Sequence, residues 1–137
     1  MEERFINRYN SFCRSVDNLQ KSTVADVSQP FVLEGTVQIY NLTFDLSWKV
    51  MKDVLVKYLG ILDFATGSPR ETLQTAFQNK LIDNDIWMEM LKTRNLLAHD
   101  YDGFHAKDAF DRIVNSYYAE FVKFKDAVKK YYLIIMS

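Results

Sequence analysis

Apolar residues recur at steps of three and four through nearly every segment of this chain, a spacing that puts them on single faces of α-helices. Phe5, Tyr9, Phe12, Val16 and Leu19 form the first such stripe, predicting a helix over about residues 2 to 25 with Cys13 beside the stripe. The pattern breaks between Val27 and Pro30, where the residue before a proline avoids the helical region and Pro30 suits a helix start. A second, long helix is expected over about 31 to 59. One of its stripes runs through Val37, Tyr40, Phe44, Trp48, Met51, Leu55 and Tyr58, another through Ile39, Leu42, Leu46, Val50 and Val54. Apolar character on two faces means burial on two sides, as the central helix of a bundle or as one that also meets a second subunit. Gly60 is a suitable stop.

Ser68-Pro69-Arg70-Glu71 has the form of a capping box with proline at the first helical position, so a short helix should run to about Gln78. Asp83 or Asn84 can cap the next one, which carries Ile86, Trp87, Met90, Leu91 and Arg94 near one face and extends to about Leu97. From about Ala106 a last long helix carries Phe110, Ile113, Tyr117, Phe121, Phe124, Val128 and Tyr131. With 4 Gly and 2 Pro in 137 residues there is little turn chemistry for hairpins, and no strand-like alternation, internal repeat or low-complexity linker is present. The expectation is a single all-α domain over residues 1–137, a four-helix up-and-down-type bundle with one short extra helix.

The formal net charge of -1 gives the chain no overall field to draw it onto nucleic acid or an anionic membrane, so any RNA contact must be local. Cys13 is the single cysteine, which excludes an intrachain disulfide and a multi-cysteine metal site and fits a reducing compartment. Acids at Glu2 and Glu3 stand where a signal peptide needs a basic start, and the apolar segment Tyr131–Met136 is far shorter than the roughly 20 residues of a membrane span. A cytoplasmic protein without membrane contact is expected.

The segment Arg94-Asn-Leu-Leu-Ala-His99-Asp-Tyr101 concentrates a permanent cation, an imidazole, a carboxylate and a phenol at an expected helix C-terminus. Arginine can hold a phosphoryl group through two parallel donors and histidine can move a proton, the two roles a metal-independent ribonuclease needs; Tyr101 adds a hydroxyl that could accept a transferred group. Residues five apart on an unbroken helix point about 140° away from each other, so convergence requires the helix to end or bend near Ala98, or two subunits to meet. Asp102-Gly103 makes an end plausible. A purely structural alternative stands beside this: Arg94 bridging to an acid on a neighbouring helix, His99 capping the helix end and Tyr101 packing its ring.

Other candidates read more plainly. Asp83-x-Asp85 and Asp100-x-Asp102 sit at expected helix ends without the glycine turn of a two-metal transferase, so they are assigned as caps and turn formers, no metal or cofactor is assigned, and the chain is not itself a nucleotidyltransferase. His105, six residues beyond His99, could assist it but is expected to be solvated near an N-cap; Trp48 and Trp87 are expected to be core, and Lys123, Lys125, Lys129 and Lys130 to form a solvated face. Asp45 and Lys49 stand at the spacing of an i,i+4 ion pair of the kind that supports an exposed helix surface.

The Arg-x4-His-x-Tyr form of Arg94, His99 and Tyr101, with the polar Asn95 after the arginine, resembles the motif of HEPN proteins. Together with Leu42-Thr-Phe-Asp-Leu-Ser-Trp-Lys-Val-Met-Lys52 and Ser68-Pro-Arg-Glu71, it makes almost the whole chain similar to the nucleotidyltransferase substrate-binding branch of that superfamily. The resemblance implies a helical bundle that forms a homodimer, motif residues of both subunits lining a shared cleft, and a minimal nucleotidyltransferase encoded nearby as partner. Two roles follow from it. In one, the chain is the substrate-binding partner of the transferase, with Asn95 and Tyr101 as binding residues and Tyr101 as an adenylylation acceptor. In the other, it is the RNA-cleaving toxin of a toxin-antitoxin pair, with Arg94 and His99 catalytic and RNA or a nucleotide as ligand.

Overall fold

The computed structural model describes residues 2–62, 67–100 and 103–136, and among them every regular element is helical. Helix α1 spans Glu2–Thr23, α2 Val32–Lys57, α3 Pro69–Gln78 and α4 Ile86–Ala98. The last helix comprises α5 (Ala106–Arg112), a π turn at Ile113–Tyr117, and α6 (Tyr118–Met136). This is the expected bundle of four main helices with the short α3 added. No helix is long and apolar enough, over the described residues, to cross a membrane.

Helix α2 is the centre: it packs against α1, α3, α4, α5 and α6, as expected of the central helix of a bundle. Tyr40, Phe44, Met51 and Leu55 of the first stripe and Val50 and Val54 of the second are fully buried, whereas Leu42 is exposed. Phe12, Val16 and Leu19 of α1 meet Phe121, Phe124 and Val128 of α6 in the same core. Aromatic edges organise its middle: Trp87 stands edge-on to Phe121 and Phe124, with ring centroids 5.6 Å away in both cases. Its indole N–H, which would otherwise be buried unsatisfied, donates to Glu120 at 3.1 Å.

Local chemistry fixes the helix ends. Ser68 Oγ accepts the Glu71 N–H at 3.2 Å, and the Glu71 carboxylate reaches back to the Gly67 N–H at 3.0 Å, so the capping sequence does what its residues predict. The N-cap of α4 is Asp85, without a side-chain bond, and not the expected Asp83 or Asn84; Asn84, one residue further out, accepts the Ile86 N–H at 2.9 Å, and Asp83 pairs with Lys123 at 2.7 Å. After α2, Gly60 adopts φ +67, which lets the chain fold back so that the Ile61 N–H reaches the Leu55 carbonyl. Pro30 is not the helix start: Phe31 takes a left-handed conformation and α2 begins at Val32.

The π turn explains an oddity of the last stripe. Ile113, Tyr117 and Phe121 are all fully buried although they lie at two consecutive steps of four, which on an α-helix would drift about 80° around the axis. Widening one turn to the i→i+5 pattern removes that drift. Tyr117 thereby stays on the core side, its hydroxyl hydrogen-bonded with Thr93 at 2.9 Å and Glu89 at 3.1 Å on α4. At the end of the stripe Tyr132, not the expected Tyr131, is fully buried.

One ion pair is nearly interior. Arg8 donates to Asp53 at 2.7 Å, with the aspartate side chain 7% exposed. Burial pushes the Asp53 carboxyl above the usual carboxylate range despite the attraction of Arg8, the balance expected when desolvation exceeds the Coulombic gain.

Candidate functional site

Helix α4 carries the motif, and it ends where the motif needs it to end. Its last helical residue is Ala98; the His99 N–H bonds to the Leu96 carbonyl at 3.2 Å and the Asp100 N–H to the Leu97 carbonyl at 3.3 Å, a tightened final turn. The following loop is held by Asp100, whose carboxylate accepts the backbone N–H groups of Phe104 and His105, each at 2.8 Å. Asp100 is thus a turn former, as its position suggests. Tyr101 and Asp102 lie outside the described residues.

Ending the helix does not bring Arg94 and His99 into one recess. Arg94 turns to α2, where its Nε donates to Asp45 Oδ1 at 3.0 Å and its Nη2 to Asp45 Oδ2 at 2.9 Å. The geometry is bidentate, both side chains are about one-third exposed, and the hydrogen bonds donated to Asp45 hold the guanidinium proton more tightly than in free arginine. The expected pairing of Asp45 with Lys49 is replaced by this longer-range contact; Lys49 instead lies 5.9 Å from the Trp48 ring, and Lys52 ends beside Gly67. Two charge-assisted bonds across helices outcompete a flexible i,i+4 lysine.

His99 faces the other way. It keeps the helical phase of Asn95 and Lys92, four and seven residues earlier, and the three side chains line a groove of about 460 Å³. Arg70 from the first turn of α3 and His105 from the start of α5 complete the polar wall, with Met88 and Leu96 as apolar lining. Among the described residues, Arg70 and Lys92 make no ion pair and the side chains of Asn95 and His99 make no hydrogen bond. Two permanent cations, two imidazoles and an amide therefore face the groove with their donors unspent, whereas Arg94 has spent its own on Asp45. Asp100, the acid in the lining, has both oxygens engaged by backbone N–H groups. Such a wall favours an anion, and histidines within it can also move protons. Among the described residues no three ligating side chains gather to hold a metal ion.

The structure thus adds Arg70 and Lys92 to the residues singled out from the sequence, and brings His105 into the same groove as His99. Lys92 could have been found, because it stands one and two helical turns before Asn95 and His99 on the same face. Arg70 comes from a separate segment and carries no local signal of convergence. Trp87 is core, and Trp48 is half-buried against the core, as expected.

Comparison with known proteins adds a family and a fold. The family model described as nucleotidyltransferase substrate binding protein like matches residues 7–130. A search among curated proteins gave no match. Among solved structures, a crystal structure of a Thermus thermophilus protein superposes with a TM-score of 0.69 at 18% identity, covering 88% of this chain and 98% of that one. That likeness is one of fold.

Proposed function

The chain belongs to the nucleotidyltransferase substrate-binding-protein-like family, and from that membership we propose that it is the binding subunit of a small nucleotidyltransferase encoded nearby. It works in the cytoplasm as a homodimer, presents a phosphate-bearing ligand in the groove at Asn95 and His99, and offers Tyr101 as an acceptor for adenylyl groups. The observation that carries this reading is the groove itself: cationic and imidazole side chains with no side-chain hydrogen bond or ion pair among the described residues surround the half of the motif that is exposed, while Arg94 is tied to Asp45. A binding subunit needs a receptive anion site and does not need Arg94 at a reacting phosphate.

The second reading, a metal-independent ribonuclease of a toxin-antitoxin pair, is favoured by one specific feature, two imidazoles on the wall of one groove. It requires Arg94 to leave Asp45, or to act across a dimer, so that Arg94 stabilises charge on phosphate while His99 transfers protons. Labelled single-stranded RNA incubated in EDTA with the wild type and with the Arg94→Ala/His99→Ala double variant separates the two. The binding-subunit reading predicts intact RNA in both; cleavage by the wild type alone assigns the ribonuclease. Addition of the transferase and ATP should label the wild type and leave Tyr101→Phe unlabelled, and equal labelling of both would remove Tyr101 as acceptor.

A further inference from the structure

A second recess, separate from the groove at His99, lies where α3 turns into α4 and has a volume of about 440 Å³. Met88 stands in the lining of both, but no lysine, arginine or histidine lines the second. Its floor is core, formed by the buried Leu73, Ile82 and Trp87. One wall is Phe77, which the fold leaves 53% exposed on the last turn of α3. Covering the open half of such a ring is worth about 1 kcal/mol. The polar groups are few. Asn84 spends its side-chain oxygen on the Ile86 N–H, whereas the amides of Gln74 and Gln78 make no hydrogen bond among the described residues. Asp85 carries the single formal charge of the lining. Its carboxylate makes neither the capping bond its position allows nor an ion pair among the described residues, and Lys123 is held by the neighbouring Asp83 instead.

We infer that this recess binds a small amphiphilic cation, a primary amine on an aromatic or alkyl body, with the body against Phe77, Met88 and the floor and the ammonium at Asp85. Each part of the ligand answers a feature of the wall. An apolar body covers the open ring of Phe77 and the thioether of Met88 and needs no polar partner there. The ammonium meets the one uncompensated carboxylate, and its remaining donors have the amide oxygens of Gln74 and Gln78 as acceptors. Aromatic rings in the same wall attract a cation through their quadrupole and offer an anion nothing. An anionic ligand would also face Asp85 with no cation in the lining to offset it. The volume falls in the range of small-molecule sites. This site is additional to the phosphate-bearing ligand proposed above, since none of Arg70, Lys92, Asn95, His99 and His105 lines it.

Nuclear magnetic resonance titration of the full chain tests this through the two indole N–H signals, because Trp87 lines the recess and Trp48 does not. Phenethylamine should shift the Trp87 signal saturably and leave that of Trp48 in place. It should bind about fivefold or more tightly than phenethyl alcohol, which keeps the body and lacks the charge, the factor expected for a charge-assisted bond at an exposed site. Hydrocinnamate, with the opposite charge, and ethanolamine, without the body, should bind more weakly than the amine. Asp85→Asn keeps a residue suited to the N-cap and should bring the amine down to the affinity of the alcohol. Phe77→Ala should weaken both by severalfold, whereas Asp111→Asn, an equal loss of charge at an exposed position outside the recess, should change neither. All three positions are exposed, and circular dichroism checks that each variant folds. Absence of a saturable shift with the amine, an equal shift of both indole signals, any of the three comparison compounds binding as tightly, or an Asp85→Asn variant that still prefers the amine would each overturn the inference. Neither phosphate nor transferase enters the experiment, so such a failure leaves the binding-subunit reading standing.

Discussion

Arg94 and His99 sit five residues apart and face different surroundings, and the contrast is settled by single side chains. Arg94 is held by Asp45, 49 positions away in sequence, through two bonds of 3.0 and 2.9 Å. The pair is partly exposed, so solvent screens it, and its bidentate form sets the strength at about 1 kcal/mol of coupling. A double-mutant cycle with Arg94→Ala and Asp45→Ala, read from urea unfolding, should return that coupling; a value near zero would mean that Arg94 is not held and remains available to a phosphate. The motif was legible in the sequence, and the structural alternative for Arg94, a bridge to an acid on a neighbouring helix, was legible too. The identity of the acid was not, because Asp45 already had a lysine at helical spacing and nothing in one sequence ranks a distant arginine above it. Arg70 was illegible for a related reason: convergence of separate segments on one groove is a property of packing.

Element boundaries were the more legible level, since caps are local chemistry. Helix α1 ends within two residues of its expected end, α3 spans its expected length, and α4 stops one residue beyond its expected end. The cap of α3 also supports function, because it fixes the first turn on which Arg70 stands. Ser68→Ala removes the acceptor for the Glu71 N–H and should cost about 1 kcal/mol in the same unfolding measurement. An unchanged midpoint would show that Glu71 and the proline suffice to start the helix. The π turn was not legible, although its trace was present: consecutive steps of four through Ile113, Tyr117 and Phe121 are one residue too wide for a regular stripe. Periodicity reports which residues are apolar and leaves open how the backbone keeps them in phase.

At the scale of the molecule, one core around α2 holds α3, α4 and α5 so that a cationic groove opens at the C-terminal end of α4 and an apolar recess lies at its other end. All-α architecture followed from spacing and from the scarcity of glycine and proline; the placement of the groove followed from neither. Its anion-receptive wall on a chain of net charge -1 suits a subunit that holds a small ligand for another protein better than one that grips RNA along its length. Size-exclusion chromatography with light scattering on this chain mixed with a small nucleotidyltransferase from the same genome tests the proposed partnership. The account predicts a shared peak whose mass is that of a hetero-oligomer containing two copies of this chain; separate elution of the two proteins at micromolar concentration would contradict it.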